Sequence, residues 1–134
     1  MHAFCDPSDM PRIMMIDDDE DLLLITGKLL RKKGFEVKAF PNWEEGSTAI
    51  RTFNPHLLLL DVFLNDHDGL RICNKLKMSP FTRHIPVLVV SGFPRLAESA
   101  IYEFGADDFV SKPFQTNELL GKIDKILSRK FQVK

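Results

Sequence analysis

The stretch "RIMMIDDDEDLL", residues 12–23, decides the fold. Its first five residues form an apolar run without polar alternation, which is typical of a strand covered on both faces of a sheet. Five adjacent acids, Asp17 to Asp21, follow directly, and the apolar residues after them recur at helical spacing. Because neighbouring carboxylates repel one another, an acidic run at the end of a buried strand needs a chemical explanation.

The pattern of a strand followed by a helix recurs along the whole chain. Strands are expected at residues 12–16, 35–40, 56–61, 85–91 and 108–112. Each is followed by apolar residues at helical spacing, so five strands alternate with five helices. Short connections between them predict an α/β fold in a single domain, with a five-stranded parallel sheet in a doubly wound (βα)5 flavodoxin-like sandwich.

Length and composition narrow the class of protein. The chain has 134 residues, enough to bury roughly two-thirds of its unfolded surface around one core. A formal charge of −1 and the lack of a long apolar stretch favour neither nucleic acid nor membrane as a partner. Two cysteines are too few for a disulfide framework, so a cytoplasmic location is expected. Residues 1–11 are expected to form a flexible lead-in, 12–130 the domain, and 131–134 a short tail.

Polar residues stand at the predicted carboxyl ends of the strands. In a parallel sheet these ends lie at one edge, where the binding sites of such folds are found. The residues at that edge are Asp17, Asp18, Asp61, Ser91 and Lys112. Three carboxylates so close together favour a bound cation, and oxygen ligands of this kind suit Mg²⁺, with Mn²⁺ as a substitute. Asp19, Glu20 and Asp21 instead suit the positive end of the following helix.

The same edge suits a phosphoryl group. A metal ion and an ammonium neutralise its oxygens, and a hydroxyl donates a hydrogen bond to it. No histidine or cysteine follows any of these strands, so the carboxylate of Asp61 is the predicted nucleophile and an acyl phosphate is the predicted product.

Four segments resemble a known family. They are "IDDDEDLL", "PHLLLLDVFLNDHDG", "IPVLVVSG" and "GADDFVSKPF", in this order. Together they resemble the receiver domain of bacterial two-component response regulators, the CheY-like superfamily, from residue 12 to about 129. The resemblance implies that Asp61 takes a phosphoryl group from a sensor histidine kinase or a histidine phosphotransfer protein, and that the domain then switches an output surface. It implies a signalling phosphoacceptor rather than an enzyme, one that assists its own phosphorylation and slow dephosphorylation.

The resemblance also implies a ligand set for Mg²⁺. Asp18 and Asp61 would bind the ion directly, together with the backbone carbonyl of Phe63. Asp17 would act mainly through a metal-bound water.

The resemblance also implies which residues bind the phosphoryl group and which take part in the conformational switch. Ser91 would bind a phosphoryl oxygen and shift inward on phosphorylation. Lys112, ahead of a cis peptide bond to Pro113, would pair with the phosphate. Phe109 takes the place of the commoner tyrosine at the aromatic switch position, which turns inward when Ser91 moves.

The chain departs from the family pattern in two loops. Asn65 and Asp66 stand where Pro-Gly is common, which predicts a less rigid loop with an extra acid. The segment between Ser91 and Gly105 is about one residue shorter than usual and contains Pro94, so the loop before the fourth helix is expected to differ.

Two aromatic residues lie at matching positions beside the site. Phe63 follows Asp61 by two residues, and Phe93 follows Ser91 by two residues. Both would flank the path of a water that attacks the phosphoryl group, and neither ring can orient that water by a hydrogen bond. The sequence therefore predicts slow self-dephosphorylation.

The resemblance places the output surface on the fourth helix, fifth strand and fifth helix. Its charged residues include Arg95, Asp107, Asp108 and Lys122. Receiver domains often dimerise through this face, and Asp107 or Asp108 opposite Lys122 of a second copy would fit a phosphorylation-dependent homodimer. Mixed charge is equally typical of a solvated face.

Three other functions are alternatives for a chain of this pattern. A receiver-like interaction module that works without phosphate is the main alternative, and a lack of magnesium binding would favour it. A metal-dependent phosphohydrolase that uses an aspartate nucleophile would need a second acid, acting as general acid, at the position of Phe63. A flavin or nucleotide binder would need a glycine-rich first loop, and the first loop here is acidic.

Overall fold

A computed structural model describes residues 10–65 and 67–130 of the chain. The five strands of the main sheet are β1 (Arg12–Ile16), β2 (Glu36–Phe40), β3 (Leu57–Asp61), β4 (Val87–Ser91) and β5 (Asp108–Ser111). The five helices are α1 (Glu20–Lys32), α2 (Trp43–Phe53), α3 (Gly69–Met78), α4 (Ala97–Tyr102) and α5 (Thr116–Lys130). Within the described ranges, no helix is both long enough and apolar enough to cross a membrane.

The sheet has the predicted parallel topology. Its strand order is β2-β1-β3-β4-β5, and every neighbouring pair is parallel. The chain therefore winds outward from β1 in both directions, and the doubly wound flavodoxin-like fold is confirmed. A short antiparallel ladder between Phe63–Leu64 and His67–Asp68 lies in the β3–α3 connection and was not predicted.

The sheet separates two apolar clusters, as strands covered on both faces require. Along β1, Met14 and Ile16 point into the cluster under α2, α3 and α4, while Ile13 and Met15 point into the cluster under α1 and α5. Cys73 of α3 is fully buried in the first cluster, and burial raises the pKa of its thiol to about 11. Cys73 is therefore a core residue of α3.

Side-chain caps fix the starts of α1 and α2. Asn42 caps α2, since its side chain accepts a hydrogen bond from the backbone N–H of Glu45 at 2.8 Å. Asp19 caps α1 by accepting the N–H of Leu22 at 3.1 Å. The acidic run therefore supplies a cap at Asp19 and two first-turn acids, Glu20 and Asp21, which favour the positive end of the helix.

Helix α4 is short, although apolar residues recur at helical spacing from Leu96 to Phe104. A 3-10 turn over Pro94–Leu96 comes first, and the α-helix that follows has only six residues. Gly105 closes the segment with a φ of +86°. The apolar spacing continued through both parts because side chains three apart lie on one side in either helix type.

Gly69 holds α3 against the strand that ends in Asp61. A Cβ added at Gly69 would overlap the carbonyl oxygen of Asp61 and the Cα of Val62. Because the overlap is with backbone, we expect Gly69→Ala to lower the free energy of unfolding by about 3 kcal/mol. Gly121→Ala in α5 is the matched control, since nothing lies within 4 Å of an added Cβ there and alanine favours a helix.

Urea unfolding of the two alanine variants tests this placement. The Gly69→Ala midpoint should fall and the Gly121→Ala midpoint should stay or rise. Equal midpoints for Gly69→Ala and the unchanged chain would show that α3 moves away without cost.

Candidate functional site

The carboxyl edge of the sheet brings the predicted polar residues together. Asp17 directly follows β1, and Asp61 is the last residue of β3, the strand hydrogen-bonded beside β1. Ser91 ends β4, the next neighbour, where Val90 is in register with Asp61. Lys112 directly follows β5, and its N–H donates to the carbonyl of Ser91 at 2.8 Å.

Three carboxylates and one ammonium form the centre of the site. Oxygens of Asp17, Asp18 and Asp61 all lie within 4.8 Å of one another. Asp17 and Asp61 are each 5% exposed, whereas Asp18 faces solvent. The Nζ of Lys112 lies 2.8 Å from Oδ2 of Asp17 and 3.5 Å from Oδ1 of Asp61. One ammonium thus contacts two of the three carboxylates. The peptide bond from Lys112 to Pro113 is cis, as expected.

This crowding changes the acidity of the central groups. Burial, and then the Asp17 carboxylate, raise the pKa of Asp61 from 3.8 to about 6, although Lys112 acts in the opposite direction. Burial alone would lower the pKa of Lys112, but its contacts with Asp17 and Asp61 outweigh burial and hold that pKa above its ordinary value. Asp61 therefore lacks sufficient positive charge from the protein, and Lys112 is firmly protonated.

The donor set fits a hard divalent cation. Carboxylate oxygens without nitrogen or sulfur ligands are the chemistry that Mg²⁺ and Mn²⁺ prefer. Both oxygens of Asp17 already have partners, since Oδ1 accepts the N–H of Asp19 at 3.0 Å and Oδ2 contacts Lys112. Asp18 and Asp61 are the more available direct ligands, in keeping with the division of roles expected from the sequence.

Ser91 and Phe109 are both buried beside the site. Ser91 is 1% exposed, and its Oγ accepts a hydrogen bond from the N–H of Phe93 at 3.1 Å. Phe109 is 5% exposed and packs in the cluster under α2, α3 and α4. The structure places Phe109 inside the core, and a movement of its ring is a prediction still to be tested.

Phe63 and Phe93 touch one another, which the sequence reasoning missed. Their side chains are 56% and 51% exposed, and their ring centroids lie 5.2 Å apart in an edge-to-face arrangement at 68°. Proximity of the two rings could have been predicted from the sequence, because each ring follows a site residue by two positions and the strands that end near these residues are parallel neighbours. The contact between the two rings connects the loop after β3 with the loop after β4.

Three charged residues of the predicted output surface, Asp107, Asp108 and Lys122, have partners within the chain. Lys122 lies 3.2 Å from Oδ1 of Asp108 and donates to the carbonyl of Phe109 at 2.7 Å. Asp107 instead pairs with Lys77 at 2.7 Å and accepts the N–H of Val87. Within one chain Lys122 therefore contacts Asp108 and not Asp107, while the pairing of either acid with Lys122 of a second copy stays a prediction. Arg95 is exposed in the 3-10 turn before α4.

Known proteins share both the sequence pattern and the fold. Residues 13–124 match the model of the family described as response regulator receiver domain. The DNA-binding dual master transcriptional regulator RpaA of Synechocystis is 31% identical over 90% of this chain and 50% of its own length. The phosphate regulon transcriptional regulatory protein PhoB of Rhizobium meliloti is 31% identical over 90% and 53%.

A solved structure agrees with these relatives. The crystal structure of a two-component response regulator from Clostridium difficile superposes with a TM-score of 0.83 at 26% identity, covering 92% of this chain and 100% of that one. The chain spans about half the length of the curated relatives named above. With its order of strands, its acidic edge and its match over residues 13–124, the chain belongs to the response regulator receiver domain family.

Proposed function

We propose that this chain is the phosphoacceptor of a two-component or phosphorelay system in the cytoplasm. A sensor histidine kinase or a histidine phosphotransfer protein would donate the phosphoryl group to Asp61, and a downstream effector domain or protein would respond. The observation that carries this proposal is the cluster at the sheet edge, where Lys112 lies within 3.5 Å of a buried Asp61 that is crowded by two further carboxylates. Membership of the receiver family supports it.

Asp18, Asp61 and the backbone carbonyl of Phe63 would hold Mg²⁺ or Mn²⁺, with Asp17 acting through a water. When bound, the ion supplies positive charge that neutralises phosphoryl oxygens. The raised pKa of Asp61, caused by burial and by the Asp17 carboxylate, is consistent with a site that favours added positive charge.

The remaining side chains would stabilise the phosphorylated state. Lys112 is charged and near enough to Asp61 to pair with an oxygen of a phosphoryl group bound there. The Oγ of Ser91 accepts a hydrogen bond from Phe93, and its own O–H is a donor suited to another phosphoryl oxygen. A shift of Ser91 toward that oxygen would move the start of the following loop, and Phe109 would respond from within the core.

Intact mass spectrometry with magnesium and acetyl phosphate tests the proposal. The unchanged chain should gain one phosphoryl group, and the gain should be lost in Asp61→Asn and without magnesium. Trp43 fluorescence measures magnesium binding on the same samples. A chain that neither binds magnesium nor gains mass would instead be a receiver-like interaction module that works without phosphate.

Slow hydrolysis of the acyl phosphate is part of the proposal. The exposed rings of Phe63 and Phe93 offer an attacking water no hydrogen-bonding group. We expect the double variant Phe63→Asn, Phe93→Glu to lose its phosphoryl group about tenfold faster or more, since a positioned acid–base group contributes at least that much. The decay of phosphorylated protein after removal of the donor measures this rate. Equal lifetimes for the two proteins would contradict the water-exclusion argument.

The output surface is proposed to be the exposed face of α4, β5 and α5. In a phosphorylation-dependent homodimer, Lys122 would exchange Asp108 of its own chain for an acid of a second copy. Light scattering before and after phosphorylation measures the mass of the assembly. An unchanged mass would leave the face as a surface for an effector and exclude the homodimer.

A further inference from the structure

The connection between α3 and β4 exposes two large apolar side chains. It precedes β4, so it lies at the amino edge of the sheet, opposite the edge that carries Asp61. Met78 is 74% exposed and Phe81 is 60% exposed. A single exposed apolar residue is common on a protein surface, but two of them in one short turn indicate a contact surface. Folding alone does not account for this pair.

Hydrogen bonds within the connection fix its shape. The N–H groups of Thr82 and Arg83 both donate to the carbonyl of Ser79, at 3.2 and 2.9 Å. The buried hydroxyl of Thr82 donates to the carbonyl of Leu76 at 2.8 Å, which ties the turn to the end of α3. The ring of Phe81 is thus presented to solvent by a preorganised turn. A partner that binds there does not have to order the backbone first.

An arginine of the neighbouring helix extends this surface. The guanidinium of Arg51, in the last turn of α2, lies 4.2 Å from the centre of the Phe81 ring. A guanidinium stacked on a ring is held in place, and its edges can still donate hydrogen bonds to a carboxylate. Phenylalanine, methionine and arginine are also residue types enriched at protein interfaces.

The charge around the exposed ring is of one sign. No acid occurs in residues 69–85, a stretch with four lysines and arginines. Lys77 among them is paired with Asp107 at 2.7 Å, whereas Lys75 and Arg83 are exposed. An apolar centre with exposed bases around it is complementary to an apolar side chain with acids on either side.

The exposed apolar and basic side chains of this region are here called the α2–α3 patch: Arg51, Lys75, Met78, Phe81 and Arg83. We propose that the α2–α3 patch docks an acidic segment of a partner protein that carries an apolar side chain among its acids. The apolar side chain packs on Phe81 and Met78, and the flanking carboxylates pair with Arg51 and Arg83. Because the patch lies at the edge of the sheet opposite Asp61, docking does not depend on phosphorylation. The inference therefore does not rest on the proposed function.

A protein segment fits the patch better than a nucleic acid does. Proteins that bind nucleic acid through its backbone commonly contact about 6–10 phosphates. The α2–α3 patch has three exposed bases, and the whole chain has a formal charge of −1. The flexible apolar side chain of Met78 beside Phe81 suits an aliphatic or aromatic side chain of a protein.

Fluorescence anisotropy with short probes tests the docking on the full chain. The main probe is a fluorescein-labelled peptide of ten residues, all glutamate except for a central Leu-Phe pair. The comparison probes are the same peptide with two serines at the centre and a labelled polyuridylate of ten nucleotides. We expect the Leu-Phe peptide to bind at least fivefold more tightly than the serine peptide, and its affinity to fall as salt is added. With magnesium present throughout, acetyl phosphate should leave this affinity unchanged within about twofold.

Four variants locate the binding surface. Phe81→Ser should weaken binding of the Leu-Phe peptide about tenfold, and Arg51→Gln about fivefold. Both side chains are exposed, so the urea midpoint of each variant should stay close to that of the unchanged chain. Tyr102→Ser in α4, where the side chain is 83% exposed, and Lys125→Gln in α5 are the matched controls outside the patch. Both controls should bind the peptide as the unchanged chain does.

Each other outcome would overturn a stated part of the inference. Lack of saturable binding, or equal binding by Phe81→Ser and Tyr102→Ser, would exclude the docking site. Tighter binding of polyuridylate than of the Leu-Phe peptide, lost in Arg51→Gln, would assign the patch to nucleic acid instead. A larger mass of the chain alone in light scattering, abolished by Phe81→Ser, would make a second copy the occupant. An affinity that changes with acetyl phosphate would overturn the independence from phosphorylation.

Discussion

Asp61→Asn is expected to abolish phosphorylation and, in the absence of magnesium, to stabilise the protein by about 2 kcal/mol near pH 7.5. The gain follows from the raised pKa of Asp61, which shows that the folded protein disfavours the ionised carboxylate. A rise from 3.8 to about 6 corresponds to roughly 3 kcal/mol at 1.36 kcal/mol per pH unit. The amide of asparagine recovers most of this because it carries no charge.

The sign of the pH dependence follows from the same shift. Well below pH 3.8 the Asp61 carboxyl is protonated in both the folded and the unfolded chain, so its ionisation costs no stability. Between 3.8 and about 6 the unfolded chain ionises first, and the stability of the unchanged protein falls as pH rises. The advantage of Asp61→Asn should therefore be small near pH 4, grow up to about pH 6 and stay constant above it.

Urea unfolding with a chelator at several pH values measures this advantage. Asp21→Asn is the control, because Asp21 is an exposed acid in the first turn of α1, and its loss should cost less than about 1 kcal/mol. Added magnesium should stabilise the unchanged protein and narrow its difference from Asp61→Asn. An Asp61→Asn variant less stable than the unchanged chain at neutral pH would contradict the crowding of carboxylates at this site.

The fold and the centre of the site could be predicted from the sequence because both follow from periodicity. Apolar runs without alternation fix buried parallel strands, and parallel strands bring their carboxyl ends to one edge. That argument alone places Asp17, Asp61 and Lys112 near one another, and the structure has Lys112 within 3.5 Å of both acids. This prediction of proximity requires no knowledge of side-chain conformations.

Features set by side-chain geometry and short loops were not predictable in the same way. The ladder between Phe63–Leu64 and His67–Asp68 has only two residues in each strand, too few for a period to be recognised. The ring contact between Phe63 and Phe93 depends on rotamers. Lys122 contacts Asp108 rather than Asp107 within the chain, and this also depends on the direction in which each acid points near the start of β5.

Lys112→Met is expected to destabilise the magnesium-free protein by about 3 kcal/mol and to slow phosphorylation about a hundredfold. The ammonium of Lys112 is the cation that contacts Asp17 and Asp61 in the described structure, and its side chain is only 25% exposed. Its removal leaves two buried carboxylates without an opposing positive charge, which costs far more than the loss of an exposed ion pair. Magnesium should recover part of the stability, since it supplies the missing charge, but it cannot replace the contact of Lys112 with the phosphoryl group.

Lys122→Met provides the comparison, because Lys122 is similarly exposed at 31% and also pairs with an acid, Asp108, away from the site. It should cost less stability and leave the phosphorylation rate unchanged. For Lys112→Met, the loss of stability should shrink as the pH falls below about 6, because the carboxyl of Asp61 then becomes protonated and no longer repels its neighbours. Unfolding measured across pH with a chelator, and phosphorylation followed by intact mass, test both parts. A loss of stability that does not vary with pH would mean that Lys112 contributes through the packing of its methylene chain rather than through its charge.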